Sequence, residues 1–341
     1  MTVTAGLDVG GAHLKVSLIE NARPIAVRQI PCPLWQGLDK LDAALAEARL
    51  LIGTAERFAV TMTGELSDLF PDRETGARTL ITRLSEELGS AACFWMGPRG
   101  FGAADGALRH HADVGSTNFL ATATAVARHL GEALLIDFGS TTADIVPIAG
   151  GAPRARGLTD AERQATGELV YTGYTRTAVM GVASKAPFQG RVVGLAREYL
   201  ATMADVRRIL GVDLAEVDQH ATADGKGKSL NESVTRLARM LGRDARDGSA
   251  EDWRTAAAHI REMQLRSIHD GATRVLSAVP IAADAPLVAA GIGADDVLEI
   301  ARRLGRGAIH FGVLTGADDA VARWATACAP AVAVGLLLAS A

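Results

Sequence analysis

Residues 134–148 read LLIDFGSTTADIVPI, and the fold turns on them. Leu134, Leu135 and Ile136 form an apolar run that ends in an acid, Asp137. Gly139, Ser140, Thr141 and Thr142 follow, all small or hydroxylic, and then a second acid, Asp144. Ile145, Val146 and Ile148 resume the apolar pattern, so the stretch predicts strand, tight turn, strand. Such a turn brings backbone N–H groups and hydroxyls close to an anion, and Gly139 is expected to avoid a Cβ clash. Asp137 then sits at the mouth of its strand, where a carboxylate holds a hydrated Mg²⁺ rather than a phosphate. Taken alone, the same residues also read as an ordinary hairpin with Asp and Thr as turn formers.

A second copy decides between these readings. Residues 5–18 run AGLDVGGAHLKVSL: again a strand closing near an acid, Asp8, then Gly10 and Gly11, then a second strand carrying Lys15. An acid-plus-glycine hairpin repeated one domain length apart is a far rarer accident than a single one.

The rest of the composition bounds the function. The chain has 341 residues, 48% hydrophobic, 22% charged and only 4% aromatic, so a large soluble core must be built from Ala, Val, Leu and Ile. A net charge of −4 and a pI near 6.1 give no electrostatic case for nucleic acid or an anionic membrane. Cys32, Cys93 and Cys328 are scattered and odd in number, which fits a reduced cytoplasm, without a disulfide framework or zinc spacing. No basic segment followed by an apolar core stands at the N-terminus. The apolar run Ala331–Leu338 falls well short of the roughly 20 residues a bilayer requires. Self-association is left open.

Along the chain, strands are expected over 5–19 and 24–32, a helix over 38–52, a strand over 57–62, a helix over 73–88 and a strand over 91–96. Residues 97–118 read as a polar loop, and 119–130 as an Ala-rich helix. The second half repeats the hairpin, becomes helical and charged over 194–275, and returns to a strand over 286–290 and a helix over 295–304. It ends with a strand over 308–311 and a helix over 318–338. This is an α/β pattern of two related lobes with mixed sheets.

Asp8-x-Gly10-Gly11 resembles the first phosphate motif of the actin, sugar-kinase and heat-shock chaperone superfamily. The 137–144 segment resembles its second phosphate motif, and Ala289-Ala290-Gly291-Ile292-Gly293 its adenosine motif. The trailing Asp144 is closest to the hydantoinase/oxoprolinase branch. The resemblance implies a two-lobed actin-like, ribonuclease H-like fold with duplicated mixed sheets. Lobe one would span 1–131, completed by a helix over 318–341. Lobe two would span 132–317, with a helical insertion over about 194–275.

The strings at 61–68, 115–118, 167–173, 201–205 and 222–227 are similar to those of the tetrahydromethanopterin-linked one-carbon pathway family. That family includes the condensing enzyme of methanofuran biosynthesis. The resemblance implies a transferase that joins an aminomethylfuran-methyl diphosphate to the phenol oxygen of a tyramine, tyrosine or glutamylated acceptor, releasing diphosphate. Mg²⁺ is the expected cofactor. A nucleotide is not expected to be hydrolysed, because Ala12 stands where kinases of the superfamily carry Thr or Ser. The competing readings are an ATP-dependent small-molecule kinase or hydantoinase-like activator, and a nucleotide-binding scaffold.

The candidate residues follow. Asp8 and Asp137 are the expected metal-holding carboxylates, with two turn acids as the plain alternative. Lys15 is placed as a point charge on phosphate, or as a strand-face lysine. Glu65 and Asp68 follow a strand end, where α/β sites collect; one of them would take or orient the phenol proton, unless both merely serve a helix N-terminus. Gly10, Gly11, Gly139, Ser140, Thr141, Thr142, Asp144, Glu168, Tyr171, Gly291 and Gly293 complete the expected substrate cradle. Lys226 and Lys228 are expected to reach an anionic substrate from a mobile loop. His110 and His111 read as solvated. Gly227-Lys228-Ser229 is not a P-loop, since Thr222 stands at its first glycine position, and Asp296 denies Gly291-Ile292-Gly293 a dinucleotide fingerprint.

Overall fold

The computed structural model describes residues 2–341. Each acid-glycine stretch is an antiparallel hairpin at the centre of its own sheet. In the first sheet, β1 (Thr4–Val9) pairs antiparallel with β2 (His13–Glu20), and β2 with β3 (Arg23–Pro31). On its other edge β1 runs parallel to β4 (Arg57–Met62), followed by β5 (Ala92–Trp95) and the short β6 (Phe101–Gly102). The order is β3-β2-β1-β4-β5-β6.

The second sheet repeats this plan. β7 (Ala133–Phe138) pairs antiparallel with β8 (Ala143–Ala149), which also carries β9 (Ala152–Pro153) and β10 (Leu169–Val170). A small separate hairpin, β11 (Lys185–Phe188) and β12 (Arg191–Gly194), opens the insertion. β7 then runs parallel to β13 (Leu287–Ala290), and β13 parallel to β14 (Ala308–His310). The molecule is thus a two-lobed actin-like α/β fold.

The layers follow from which faces are apolar. Helices Asp39–Ile52 and Arg73–Leu88 cover one face of the first sheet, on Leu7, Val9, Val60 and Phe94. Helices Ala250–Ala278 and Ala294–Arg303 cover the outer face of the second, on Leu134, Ile136 and Ala289. Between the sheets lies a shared core built on helices Asn118–Ala127 and Ala329–Ala339. The latter is apolar all round, as burial on every side requires. It approaches β1 so closely that a Cβ on Gly6 would lie 1.9 Å from the Ala331 carbonyl oxygen. The insertion packs its own cluster around Trp253, Phe188 and Leu237.

Two expectations are corrected. The polar stretch 97–118 contains helices Ala104–Arg109 and His111–Val114, too short to show a period. The expected single helix over 318–338 is two, Asp319–Ala327 and Ala329–Ala339, bent by 107°. Pro330 sits in the first turn of the second helix, where its missing N–H costs nothing. Among the described residues no single helix is long and apolar enough to cross a membrane. The bent pair passes only when its halves are joined.

Candidate functional site

The turns of the two hairpins face one cleft of about 630 Å³. The chain closes both turns in the same way: Gly10 N–H donates to the His13 carbonyl at 3.0 Å, and Gly139 N–H to the Thr142 carbonyl at 2.9 Å. Those two donors are therefore consumed by the turns. The N–H groups of Gly11, Ser140 and Thr141 have no backbone partner among the described residues and stay available to a ligand. A Cβ on Gly139 would meet nothing nearer than 3.5 Å, so clash is not what places a glycine there. Helices Asn118–Ala127 and Ala329–Ala339 both present their N-terminal ends, at Asn118 and Pro330, to the same cleft. Free N–H groups and two positive dipole ends make this an anion-receptive cavity.

Asp8 and Asp137 lie in its floor, 2% and 7% exposed. Asp8 faces Lys15 in the β1–β2 register, and the Lys15 ammonium donates to its Oδ2 at 3.3 Å. Asp8 Oδ1 is buried without a partner. Burial raises the Asp8 carboxyl above its usual range, with Lys15 opposing. Burial likewise pushes Asp137 up to about 7; Lys15 opposes this, and the Asp144 and Asp8 charges add to it. Burial pulls the Lys15 ammonium down, but Asp8 and Asp137 outweigh it, so its net shift is upward. Asp144 is held by Arg163, Nη2 to Oδ1 at 2.8 Å.

The two buried carboxylates fit Mg²⁺. One oxygen lacks a partner, and no group of three or more His, Cys, Asp or Glu side chains gathers into a closed nest among the described residues. Mg²⁺ takes one or two carboxylates, keeps several waters and draws its remaining oxygens from phosphate.

Thr142, Asp144, Asp68 and the half-exposed Tyr171 also line the cleft. Other expected residues do not. Gly291, at φ +82°, would carry a Cβ 2.5 Å from Asp137 Oδ1, and Gly293 one 2.4 Å from the Phe138 ring. Both pack against the second hairpin, outside the residues that line the cleft. Glu168 is buried under β8, accepting from Arg156 N–H, Gly157 N–H and the Thr166 hydroxyl at 2.6, 3.0 and 2.9 Å. It fixes a loop. Lys226 and Lys228 lie outside the cleft, and Lys228 donates to the Asp218 carbonyl. Their loop is tied down by Asp224, which accepts from Lys226 N–H and from Arg236. Glu65 is buried beside the cleft, hydrogen-bonded to Ser116, which lines it. His110 and His111 face Asp113 and Glu74 instead.

The structure adds residues that local pattern does not reveal. His13 is buried with its ring 4.5 Å from His220, and the Trp35 ring lies 5.4 Å from His220. The Arg176 guanidinium sits 5.0 Å over the Trp35 ring and donates to the Thr141 hydroxyl at 3.0 Å. His13, Trp35 and Arg176 line the cleft, giving it one aromatic, cationic end. Only His13 had a local sign, its place beside Ala12.

A model of the hydantoinase/oxoprolinase family matches residues 57–311. A protein of Methanocaldococcus jannaschii named (4-{4-[2-(gamma-L-glutamylamino)ethyl]phenoxymethyl}furan-2-yl)methanamine synthase is 32% identical over 237 residues, which is 69% of this chain and 70% of that protein. A protein of the same name from Methanococcus vannielii is 34% identical over 120 residues, 35% of this chain and 53% of that one. In fold, the chain is similar to component A of (R)-2-hydroxyglutaryl-CoA dehydratase from Acidaminococcus fermentans, with TM-score 0.50, 13% identity and all of both chains covered. It is also similar to nucleotide-free acetone carboxylase, with TM-score 0.55, 11% identity, and 89% and 68% of the two chains covered.

Proposed function

Since this chain belongs to the hydantoinase/oxoprolinase family, we propose that it is a transferase of methanofuran-type cofactor biosynthesis that joins a furan-methyl diphosphate to a phenol oxygen and releases diphosphate. The observation that carries the reading is the anion-receptive cleft with an aromatic end, in a chain 32% identical to a synthase whose named product is a furan-methyl aryl ether. We take its lobes as residues 1–131 with 318–341, and 132–317.

The chemistry follows from the leaving group. Diphosphate gains negative charge as its C–O bond breaks, so the barrier responds to positive charge and N–H donors fixed around it. The Gly11, Ser140 and Thr141 N–H groups, the Lys15 ammonium and the helix ends at Asn118 and Pro330, which line the cleft, would serve in that role. Mg²⁺, when held by Asp8 and Asp137, supplies further charge neutralisation. The methylene carbon becomes electron-poor, and the furan ring delocalises that charge. Trp35, Tyr171 and Leu66 give the acceptor ring an apolar wall and limit competing water. Ala12 offers no hydroxyl to orient a water on ATP, which argues against the kinase alternative.

The test is product analysis. Purified protein should release diphosphate from a furan-methyl diphosphate and a phenol, with Mg²⁺ and without ATP. A requirement for ATP replaces this reading with that of a kinase.

A further inference from the structure

Glu65 and Glu168 are both buried carboxylates, but they are used differently. Glu168 accepts from three donors and has both oxygens satisfied. Glu65 accepts a short bond from Ser116 Oγ at 2.6 Å, while its Oε2 is buried with no hydrogen-bond partner. Arg73, partly exposed, stands 3.6 Å away. Room for the carboxylate depends on Gly115, where a Cβ would lie 2.9 Å from Glu65 Oε1. Ser116 itself has φ +53°, a region residues with side chains seldom occupy, and its N–H is pinned to the Met62 carbonyl at 3.1 Å. Strain of this kind persists where the surroundings over-determine it. Here it holds one hydroxyl between a buried carboxylate and the cleft. Two residues on, Asn118 lines the same cleft.

We infer that Ser116 and Glu65 form the proton relay for the phenolic acceptor. Ser116 Oγ takes the phenol proton as its own proton passes to Glu65 Oε1. The phenol oxygen forms the new bond to the furan methylene carbon. The carbon–oxygen bond to diphosphate breaks, and its electron pair leaves with the diphosphate. The proton ends on Glu65 and returns to solvent after release. Ser116 is the catalytic residue and Glu65 the positioning residue that acts through it. The inference rests on the transferase reading above. The charged groups facing Glu65 are Arg73 and Asp160; burial raises its carboxyl, which makes it a stronger base once ionised, while Ser116 and Arg73 oppose the rise.

The experiment compares wild type, Ser116→Ala, Ser116→Gly and Glu65→Gln on tyramine and on a ring-fluorinated tyramine, whose phenol is more acidic. Ser116→Gly suits the positive φ, and melting curves establish that each variant folds; Glu65→Gln, isosteric, carries the test if both serine variants unfold. Loss of the relay should cost about a hundredfold in kcat/KM with tyramine, and at least tenfold less than that with the fluorinated acceptor, which needs less help losing its proton. The acid limb of the wild-type kcat/KM profile should disappear in Glu65→Gln. Equal losses on both acceptors, or an acid limb that survives in Glu65→Gln, overturn the relay and leave the transferase reading standing. Wild type that converts neither phenol overturns both.

Discussion

Asp137 faces Asp144 across the second hairpin in the register position where Asp8 faces Lys15 across the first. The duplicated hairpins are therefore alike in backbone and opposite in charge. Arg163 engages Asp144, so Asp137 has Lys15 of the other hairpin as its cationic neighbour in the cleft. One half of the site holds an ion pair with one carboxylate oxygen still free; the other holds a carboxylate whose partner across the hairpin is another acid.

That imbalance makes stability depend on pH. Folding raises Asp137 from an ordinary value of 3.8 to about 7. The native state thus holds a proton that the unfolded state has released, and stability falls as pH rises between those values. Asp137→Asn should remove that slope and stabilise the ligand-free protein at pH 8 by on the order of 3 kcal/mol. Urea midpoints at pH 5 and pH 8 measure it; parallel shifts for both proteins would contradict the assignment.

The same substitution should damage turnover. In the proposed reaction, Asp8→Asn and Asp137→Asn would each weaken the anchor of the cation that faces the diphosphate. A loss of about a hundredfold in kcat is expected, on the scale of removing one preorganised electrostatic contact. High Mg²⁺ should recover part of it. Diphosphate release titrated with Mg²⁺ reads the effect, and full rates at low Mg²⁺ in both variants would exclude a metal-holding role.

At the other end of the cleft the sign reverses. Burial holds His13 well below the usual histidine range, with the neighbouring His220, Lys15 and Arg176 adding to it, and burial holds His220 at about 4. Their unfolded forms bind more protons below about pH 6.5, so stability drops as pH falls from there. His220→Phe keeps a ring against His13 and Trp35 but cannot charge. Its melting temperature should decline less than wild type between pH 6.5 and pH 4; identical declines would place the acid sensitivity elsewhere.

Gly291→Ala tests the support behind Asp137. Its φ of +82° and a Cβ 2.3 Å from the Phe138 carbonyl leave no room for a methyl group. A destabilisation of about 3 kcal/mol is expected from strain and overpacking, together with reduced turnover as Asp137 is displaced. Unchanged melting would mean the loop shifts freely.

The hairpins were legible because acid, glycine and apolar alternation recur at a fixed spacing. Helix Arg73–Leu88 was legible from its amphipathic period and the Gly89 that ends it; the structure adds Asp72 as its cap. The short helices after residue 97 were not, since one turn carries no period. The aromatic end of the cleft was not either. Trp35, Arg176 and His220 are far apart in the chain, and only tertiary packing brings them together. Gly291 and Gly293 stood out in the sequence, but their close approach to Phe138 and Asp137 was visible only in the fold. Lys226 and Lys228 misled because a Gly-rich basic stretch looks mobile, whereas Asp224 and Arg236 fasten it.

The close seat of helix Ala329–Ala339 on β1 also governs the order of assembly. Ser17 Oγ donates to the Ala331 carbonyl across a sequence separation of 314 residues. The hairpin that carries Asp8 and Ser17, with Gly6 also against Ala331, therefore keeps one face uncovered until that helix packs on it. Contacts of such range are slow to form and leave apolar surface exposed meanwhile. Loss of the segment after residue 328 should yield a chain captured by chaperones and not a partly active enzyme, because the hairpin that carries Asp8 and Lys15 would be left without its backing.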